Sequence, residues 1–113
     1  PLRAATVKKK FHQLQDTGVV MLIGTDSGIP MKFHSSSNWH EMDAWVHELG
    51  VDPMATIRAA TYWPAVMMKV EKDYGSISTG KFADIIAVKG DVLRYIDLLQ
   101  RVDLVLKHGR RYK

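Results

Sequence analysis

The apolar run Val19-Val-Met-Leu-Ile23 stops at Gly24-Thr-Asp-Ser-Gly28, which sets one carboxylate, Asp26, at the end of the run. Glycines on both sides let the backbone turn sharply there. An unbroken apolar run of this length is the pattern of a strand buried on both faces, typical of parallel sheets covered by helices. In such sheets the ligand site lies at the carboxyl ends of the strands. A carboxylate there can bind a divalent metal or take a proton from an attacking water. Asp and Ser are also common turn and helix-cap residues at strand ends, so the position alone leaves a purely structural role open.

The histidines divide by position. His34 lies in the loop that follows Asp26 and is the one placed to reach a substrate. His40 and His47 are seven residues apart on one predicted helix face, where a surface or packing role is expected. His12 falls on a highly charged helix and is expected to be solvated, and His108 falls in a turn. Asp84 is expected in a turn or in a hydrogen bond near Lys81, and Ala59-Ala60-Thr61 in close helix packing. Trp39, Trp45 and Trp63 are expected as core anchors.

The elements that would carry these residues are legible from periodicity. Val7, Phe11 and Leu14 share one face of a helix over 3–16, with Gly18 beyond its end. Residues 19–24 read as a strand. A helix over 39–49 opens with Asn38 as cap and Glu41 as its capping-box partner. Its apolar stripe is Trp39, Met42, Val46 and Leu49. Asp52 and Pro53 open a helix over 53–61, and Pro64 opens a shorter one over 64–70. After Tyr74 the pattern changes. Gly75 to Gly80 is turn-rich, residues 83–89 are strand-like and residues 91–99 suggest a helical turn or two. Val102 to the end reads as a hairpin turning at His108-Gly109. The chain therefore reads as an α/β segment over 1–73 followed by a β-rich segment over 74–113.

Composition bounds the function. The chain has 113 residues, 46% of them apolar and 25% charged, with no cysteine. These values exclude a disulfide framework and a thiolate metal site. The net charge of +4 collects at Lys8-Lys9-Lys10 and in the terminal segment. Neither cluster interleaves aromatics that could stack bases, so no nucleic-acid partner is expected. No apolar run approaches the ~20 residues of a membrane-spanning helix, and no secretory leader pattern is visible. A cytoplasmic setting is the expectation. The first residue is Pro rather than Met, so the expectation is either that residues were removed upstream or that the chain is a piece of something longer.

The order of the blocks carries a resemblance. An apolar strand ending in GTDSG is followed by a helix ending in Glu48-Leu-Gly50, then Asp52-Pro53, Ala59-Ala60-Thr61 and Gly80-Lys-Phe-Ala-Asp84. Taken together, from about Val19 to Lys113, these resemble the C-terminal end of a metal-dependent amidohydrolase, of the branch that holds imidazolonepropionase-like enzymes and metal-dependent dipeptidases. The resemblance implies a fold: the last helix–strand–helix units of a (β/α)8 barrel, together with the C-terminal strands of a small β-sandwich. It also implies hydrolysis of an amide or cyclic amide C–N bond by a metal-activated water, on a small amide or dipeptide-like substrate. Asp26 would be both metal ligand and proton acceptor, and the metal a divalent ion such as zinc. The family's remaining ligands, a His-x-His among them, have no counterpart in this sequence. The chain alone is therefore expected to be inactive, and its partner would be the missing N-terminal part of its parent.

Two other classes compete. A non-catalytic module would self-associate into a homo-oligomer through an unpaired strand 19–23. A dimeric aspartic-protease-like chain would use Asp26 as one member of a carboxylate pair, although the capped helical stretch from Asn38 to Val70 argues against a largely β chain of that kind.

Overall fold

The computed structural model describes residues 2–113. Helix α1 spans Leu2–Asp16 and ends in the hydrogen-bond pattern of a Schellman cap. The Val19 N–H donates to the Leu14 carbonyl at 3.3 Å and the Gly18 N–H to the Gln15 carbonyl at 2.9 Å. Helix α2 (Ser37–His47), helix α3 (Pro53–Ala60) and helix α4 (Tyr62–Met67) follow. Strand β1 (Ile85–Ala87), a 3₁₀ helix (Ile96–Gln100), strand β2 (Leu104–Lys107) and strand β3 (Arg110–Arg111) complete the order.

The first core forms where α1 meets the C-terminal half of α2. Phe11, Trp45, Val51 and Ala59 are buried together, with Met21, Ile23 and Leu49 packed around them. The Phe11 and Trp45 rings meet edge to face at 4.8 Å, the geometry that aromatic quadrupoles favour. His12 is not solvated as expected. Its Nε2–H donates to the Leu49 carbonyl at 2.6 Å, which ties α1 to the end of α2. Of the expected α1 stripe only Phe11 is buried, while Val7 and Leu14 are about half exposed.

The expected strand over 19–24 is not one. Residues 19–24 have no regular secondary structure, and among the described residues no strand pairs with them. A strand exists only through its ladder partners, and the backbone N–H groups of this run go to helices instead: Ile23 to the Ala59 carbonyl at 3.1 Å, Val19 to the Leu14 carbonyl and Gly24 to the Glu41 side chain. The expected burial also fails, since Val19 and Val20 are 49% and 54% exposed and Met21, Leu22 and Ile23 are only half-buried.

Helix boundaries shift for local reasons. Helix α2 starts at Ser37 behind Ser36, so Asn38 is not its cap, and Ser36 makes no side-chain cap bond. Asp52 does cap α3, its Oδ2 accepting from the Ala55 N–H at 2.9 Å. Thr56 is fully buried, its hydroxyl donating to the Asp52 carbonyl at 3.0 Å. Helix α4 begins at Tyr62 rather than Pro64 and stops at Met67 rather than residue 70. The first-turn N–H groups of a helix need no intrahelical acceptor, so proline fits at any of these positions. Lys69, at φ +60°, then turns the chain out of the helix.

The C-terminal part is an antiparallel sheet in the order β1-β2-β3, with Ile86 opposite Val105 and Lys107 opposite Arg110. His108 and Gly109, at φ +50° and +75°, join β2 to β3. Positive φ at both central residues is the signature of a type I′ hairpin. The 3₁₀ helix packs against α2 and buries Ile96 to 1% exposure. Large apolar side chains remain outside, among them Met31, Phe33, Met67, Met68 and Ile77. The radius of gyration, 15.1 Å, exceeds the about 13 Å expected for a compact domain of this length.

Candidate functional site

The segment around Asp26 is built on a hydrogen-bonded loop. The Gly24 N–H donates to Glu41 Oε1 at 2.9 Å, which fixes the end of the apolar run to the first turns of α2. Glu41 therefore serves the loop rather than the capping box expected of it. Thr25 Oγ1 accepts from the Ser27 N–H at 3.3 Å and donates to Ser27 Oγ at 3.2 Å, a local turn of the kind short hydroxyl side chains make. Asp26 sits between them, exposed, at φ +49°. That is a left-handed conformation which Asp tolerates better than most residues. Its carboxylate faces solvent at the tip of a turn held from both sides.

Beyond Asp26 the chain doubles back. The Gly28 N–H donates to the Lys32 carbonyl at 2.9 Å, and the Lys32 N–H donates to the Ile29 carbonyl at 3.1 Å. The Lys32 ammonium reaches back to the Thr25 carbonyl at 3.2 Å. His34 then lies over Gly28, so close that a Cβ there would stand 3.2 Å from His34 Cε1. Asp26 and His34 thus belong to one closed loop, with His34 packed two residues from the carboxylate.

The other histidines lie elsewhere. His40 stacks on Trp39 with ring centroids 3.6 Å apart, and His47 pairs with Asp43 at 2.9 Å on the exposed side of α2. His108 stacks on Phe82, which stacks on Tyr74. Asp84 does not bond Lys81. It forms an ion pair with Lys107 and accepts from the His108 N–H at 2.8 Å. The Lys107 ammonium and then the His108 N–H hold the Asp84 carboxyl below its ordinary value, and Asp84 in turn raises the Lys107 ammonium above its own. Lys81 instead donates to the Glu71 carbonyl and to Ser76 Oγ, closing the turn-rich segment. Trp45 is buried, while Trp39 and Trp63 are half-buried.

Whether these residues fit a metal can be judged from the donors. Asp26 offers carboxylate oxygens at an exposed tip. Among the described residues, no group of three or more His, Asp or Glu side chains could hold a metal ion. A catalytic zinc site takes three protein ligands. The described residues therefore fit at most one vertex of a coordination sphere and do not make a metal site by themselves. Sequence reasoning missed Glu41 as the residue that steadies the loop, because its partner is 17 residues away and no local spacing marks the pair. No helix among the described residues is long and apolar enough to cross a membrane.

Residues 5–111 match the amidohydrolase family. The chain is 29% identical over 89 residues to an adenine deaminase of Rubrobacter xylanophilus, covering 79% of this chain and 14% of that protein. It superposes on a solved Xaa-Pro dipeptidase with methionine bound in its active site, with a TM-score of 0.83 and 36% identity, covering 95% of this chain and 25% of that one. It also superposes on a molinate hydrolase, with a TM-score of 0.79 and 26% identity over 89% of this chain and 25% of that one. The chain therefore spans about a quarter of the length of these structures and a smaller share of the deaminase. The match runs through both the helical part and the sheet, and the chain belongs to the amidohydrolase family.

Proposed function

We propose that this chain is the closing segment of a hydrolase that cleaves amide or cyclic amide C–N bonds in small, dipeptide-like substrates. The observation that carries the reading is the placement of Asp26. Its carboxylate is exposed on a turn pinned by the Gly24–Glu41 bond and by the Gly28–Lys32 bond, in a chain whose family match covers residues 5–111. Relatives named as a dipeptidase, a hydrolase and a deaminase support C–N bond cleavage as the reaction class.

In this reading α1, residues 19–23 and α2 form the last helix–strand–helix unit of a (β/α)8 barrel. Residues 74–113 give the C-terminal share of a β-sandwich beside it. Preceding strands supplied by a longer polypeptide would pair with residues 19–23 and bring the remaining ligands. A divalent metal such as zinc, when bound, supplies Lewis acidity and lowers the pKa of a bound water. Asp26 would hold such a metal through one carboxylate oxygen and would be the group placed to accept a proton from the attacking water. His34, held against Gly28, lies beside the substrate, and Glu41 keeps the loop in register. The 113 residues alone would not hydrolyse substrate, and the assembled enzyme would work in the cytoplasm.

The test is Asp26→Asn in the longest polypeptide that carries these residues, assayed on a panel of Xaa-Pro dipeptides. Loss of a proton acceptor costs on the order of 10²–10⁴ in rate. Hydrolysis at the unaltered rate overturns the assignment.

A second reading is assembly without catalysis. The exposure of Val19, Val20, Met67 and Met68 favours it. It requires the 113-residue chain to form a homo-oligomer in solution, and a monomeric sedimentation profile would remove it. An aspartic-protease-like dimer would need a largely β chain, whereas among the described residues helices dominate and the sheet has three short strands.

A further inference from the structure

Lys81, half-buried, carries its charge into a set of oxygens rather than to a carboxylate. Its ammonium donates to the Glu71 carbonyl, to Ser76 Oγ at 2.7 Å and, at a longer 3.5 Å, to the Tyr74 carbonyl. A lysine ammonium has three N–H donors, and three oxygens meet them. All three are neutral, and among the described residues no carboxylate lies within ion-pair distance of Lys81. This cage does not owe its shape to the lysine. The Val70 N–H donates to the Ala65 carbonyl at 2.9 Å, and the Asp73 and Tyr74 N–H groups both donate to the Val70 carbonyl at 3.0 Å, so the turn grows directly out of α4. Gly75 presses back on the start of α4, so close that a Cβ there would stand 2.9 Å from the Thr61 carbonyl oxygen. The turn that carries the Glu71 and Tyr74 carbonyls is thus held by contacts in which the Lys81 side chain takes no part.

We propose that residues 71–76 form a binding site for a primary ammonium group, which Lys81 fills as a tethered ligand, clasping the segment that leads into β1 onto the end of α4. The donor set selects the occupant. Carbonyl and hydroxyl oxygens suit a hard cation, and neutral oxygens alone offset the desolvation of one positive charge better than of two. A cation that bears N–H groups also gains a directed, charge-assisted bond to each oxygen. The backbone delivers the ammonium to the cage. The Lys81 N–H donates to the Ser78 carbonyl at 3.2 Å, and the adjacent Phe82 N–H donates to the Asp73 carbonyl at 3.0 Å, which lays residues 81 and 82 along the turn. Nothing in this clasp depends on the role of Asp26.

The experiment follows amide exchange of Phe82 in the longest polypeptide carrying these residues. Lys81→Ala removes the ammonium with its stem and leaves the cage open. Hydrogen bonds to charged groups contribute more than neutral ones, so Phe82 exchange is expected to rise by about 10-fold or more. Propylammonium chloride replaces the deleted atoms and, by binding the folded form, is expected to return exchange to within ~3-fold of the parent. Tetramethylammonium chloride at equal concentration has the same charge and no N–H, and is expected to leave exchange fast. Lys81→Met fills the cage with an apolar chain, so its exchange should be fast in both salts. No rise in exchange, no rescue of folded Lys81→Ala, equal rescue by the two salts, or rescue of Lys81→Met overturns the proposal. Should Lys81→Ala fail to fold, Ser76→Ala removes one cage oxygen with the lysine in place. It is then expected to speed Phe82 exchange severalfold and leave the amides of α1 unchanged, and an unchanged Phe82 rate overturns the proposal.

Discussion

Glu41 accepts a hydrogen bond from the Gly24 backbone N–H at 2.9 Å, across 17 residues of sequence. It couples α2 to the turn that carries Asp26. Glu41→Ala removes this acceptor and leaves the N–H to water. Because the contact is exposed, the stability cost should be only about 1 kcal/mol, read as a shift in urea midpoint at constant slope. The effect on hydrolysis by the longer polypeptide should be larger, a fall of roughly 10-fold or more, since small misplacements of a catalytic group are costly. Glu41→Gln keeps an acceptor oxygen and should restore most of the rate. A variant as active as the parent would show that the loop holds itself.

Gly75 is a second point where backbone geometry admits one residue. It lies at φ +85°, and an added Cβ would come 2.7 Å from Ala65 Cβ and 2.9 Å from the Thr61 carbonyl oxygen. Neither neighbour is the free end of a flexible side chain, so α4 itself must move. Gly75→Ala should cost about 2–4 kcal/mol, combining left-handed strain with overpacking. Gly80 has a similar φ of +89° with nothing near its Cβ. Gly80→Ala should therefore cost only the strain, about 1–2 kcal/mol. Comparing the two by thermal denaturation separates conformation from contact, and equal losses would contradict the close approach at Gly75.

Much of this architecture is legible in sequence, and what is not has identifiable causes. Asp52-Pro53 announces the start of α3 because cap and first-turn proline act within four residues. His108-Gly109 announces the hairpin because its φ requirements are local. Residues 19–24 read as a buried strand because the apolar run is a true signal for an environment of paired neighbours, but pairing is decided by other strands. Glu41 departs from its local signal for the opposite reason: the spacing from Asn38 suits a capping box, but a distant backbone donor, the Gly24 N–H, takes the carboxylate instead. The same holds for Asp84, whose partners Lys107 and His108 lie more than 20 residues away. For the candidate site, the run, the glycines and Asp26 mark the position, while the closed loop that sets His34 against Gly28 is visible only in three dimensions.

The Asp84–Lys107 pair ties β2 to the segment before β1, and its pH dependence has a definite sign. The Asp84 carboxyl is held below its ordinary 3.8, so its contribution is complete above that value and is lost as pH falls through the lowered one. The Lys107 ammonium is raised above 10.5, so its contribution is complete below 10.5 and is lost as pH rises through the raised value. The clasp should therefore hold across the whole neutral range and loosen only at strongly acidic or strongly alkaline pH. Amide exchange of His108, whose N–H bonds Asp84, should accelerate in Asp84→Asn relative to the parent at pH 7. It should also lose, in that variant, any extra acid sensitivity below pH about 4. Identical exchange in both proteins would mean that the hairpin turn alone protects this amide.

Trp45 offers the most direct test of where the fold draws its stability. It is 8% exposed, meets Phe11 edge to face, and lies in the cluster with Val51 and Ala59. Trp45→Ala should cost about 3–5 kcal/mol, a large fraction of the 5–15 kcal/mol that holds a typical domain. Trp45→Phe keeps an aromatic face toward Phe11 and should recover more than half of that loss. Trp39→Ala, at a half-buried position stacked on His40, should cost less than Trp45→Ala. The ordering matters more than the magnitudes. If Trp39→Ala were the more damaging of the two, the packing of α1 on α2 through Phe11 would not be the main core, and the coupling of α2 to the 3₁₀ helix would have to carry that role instead.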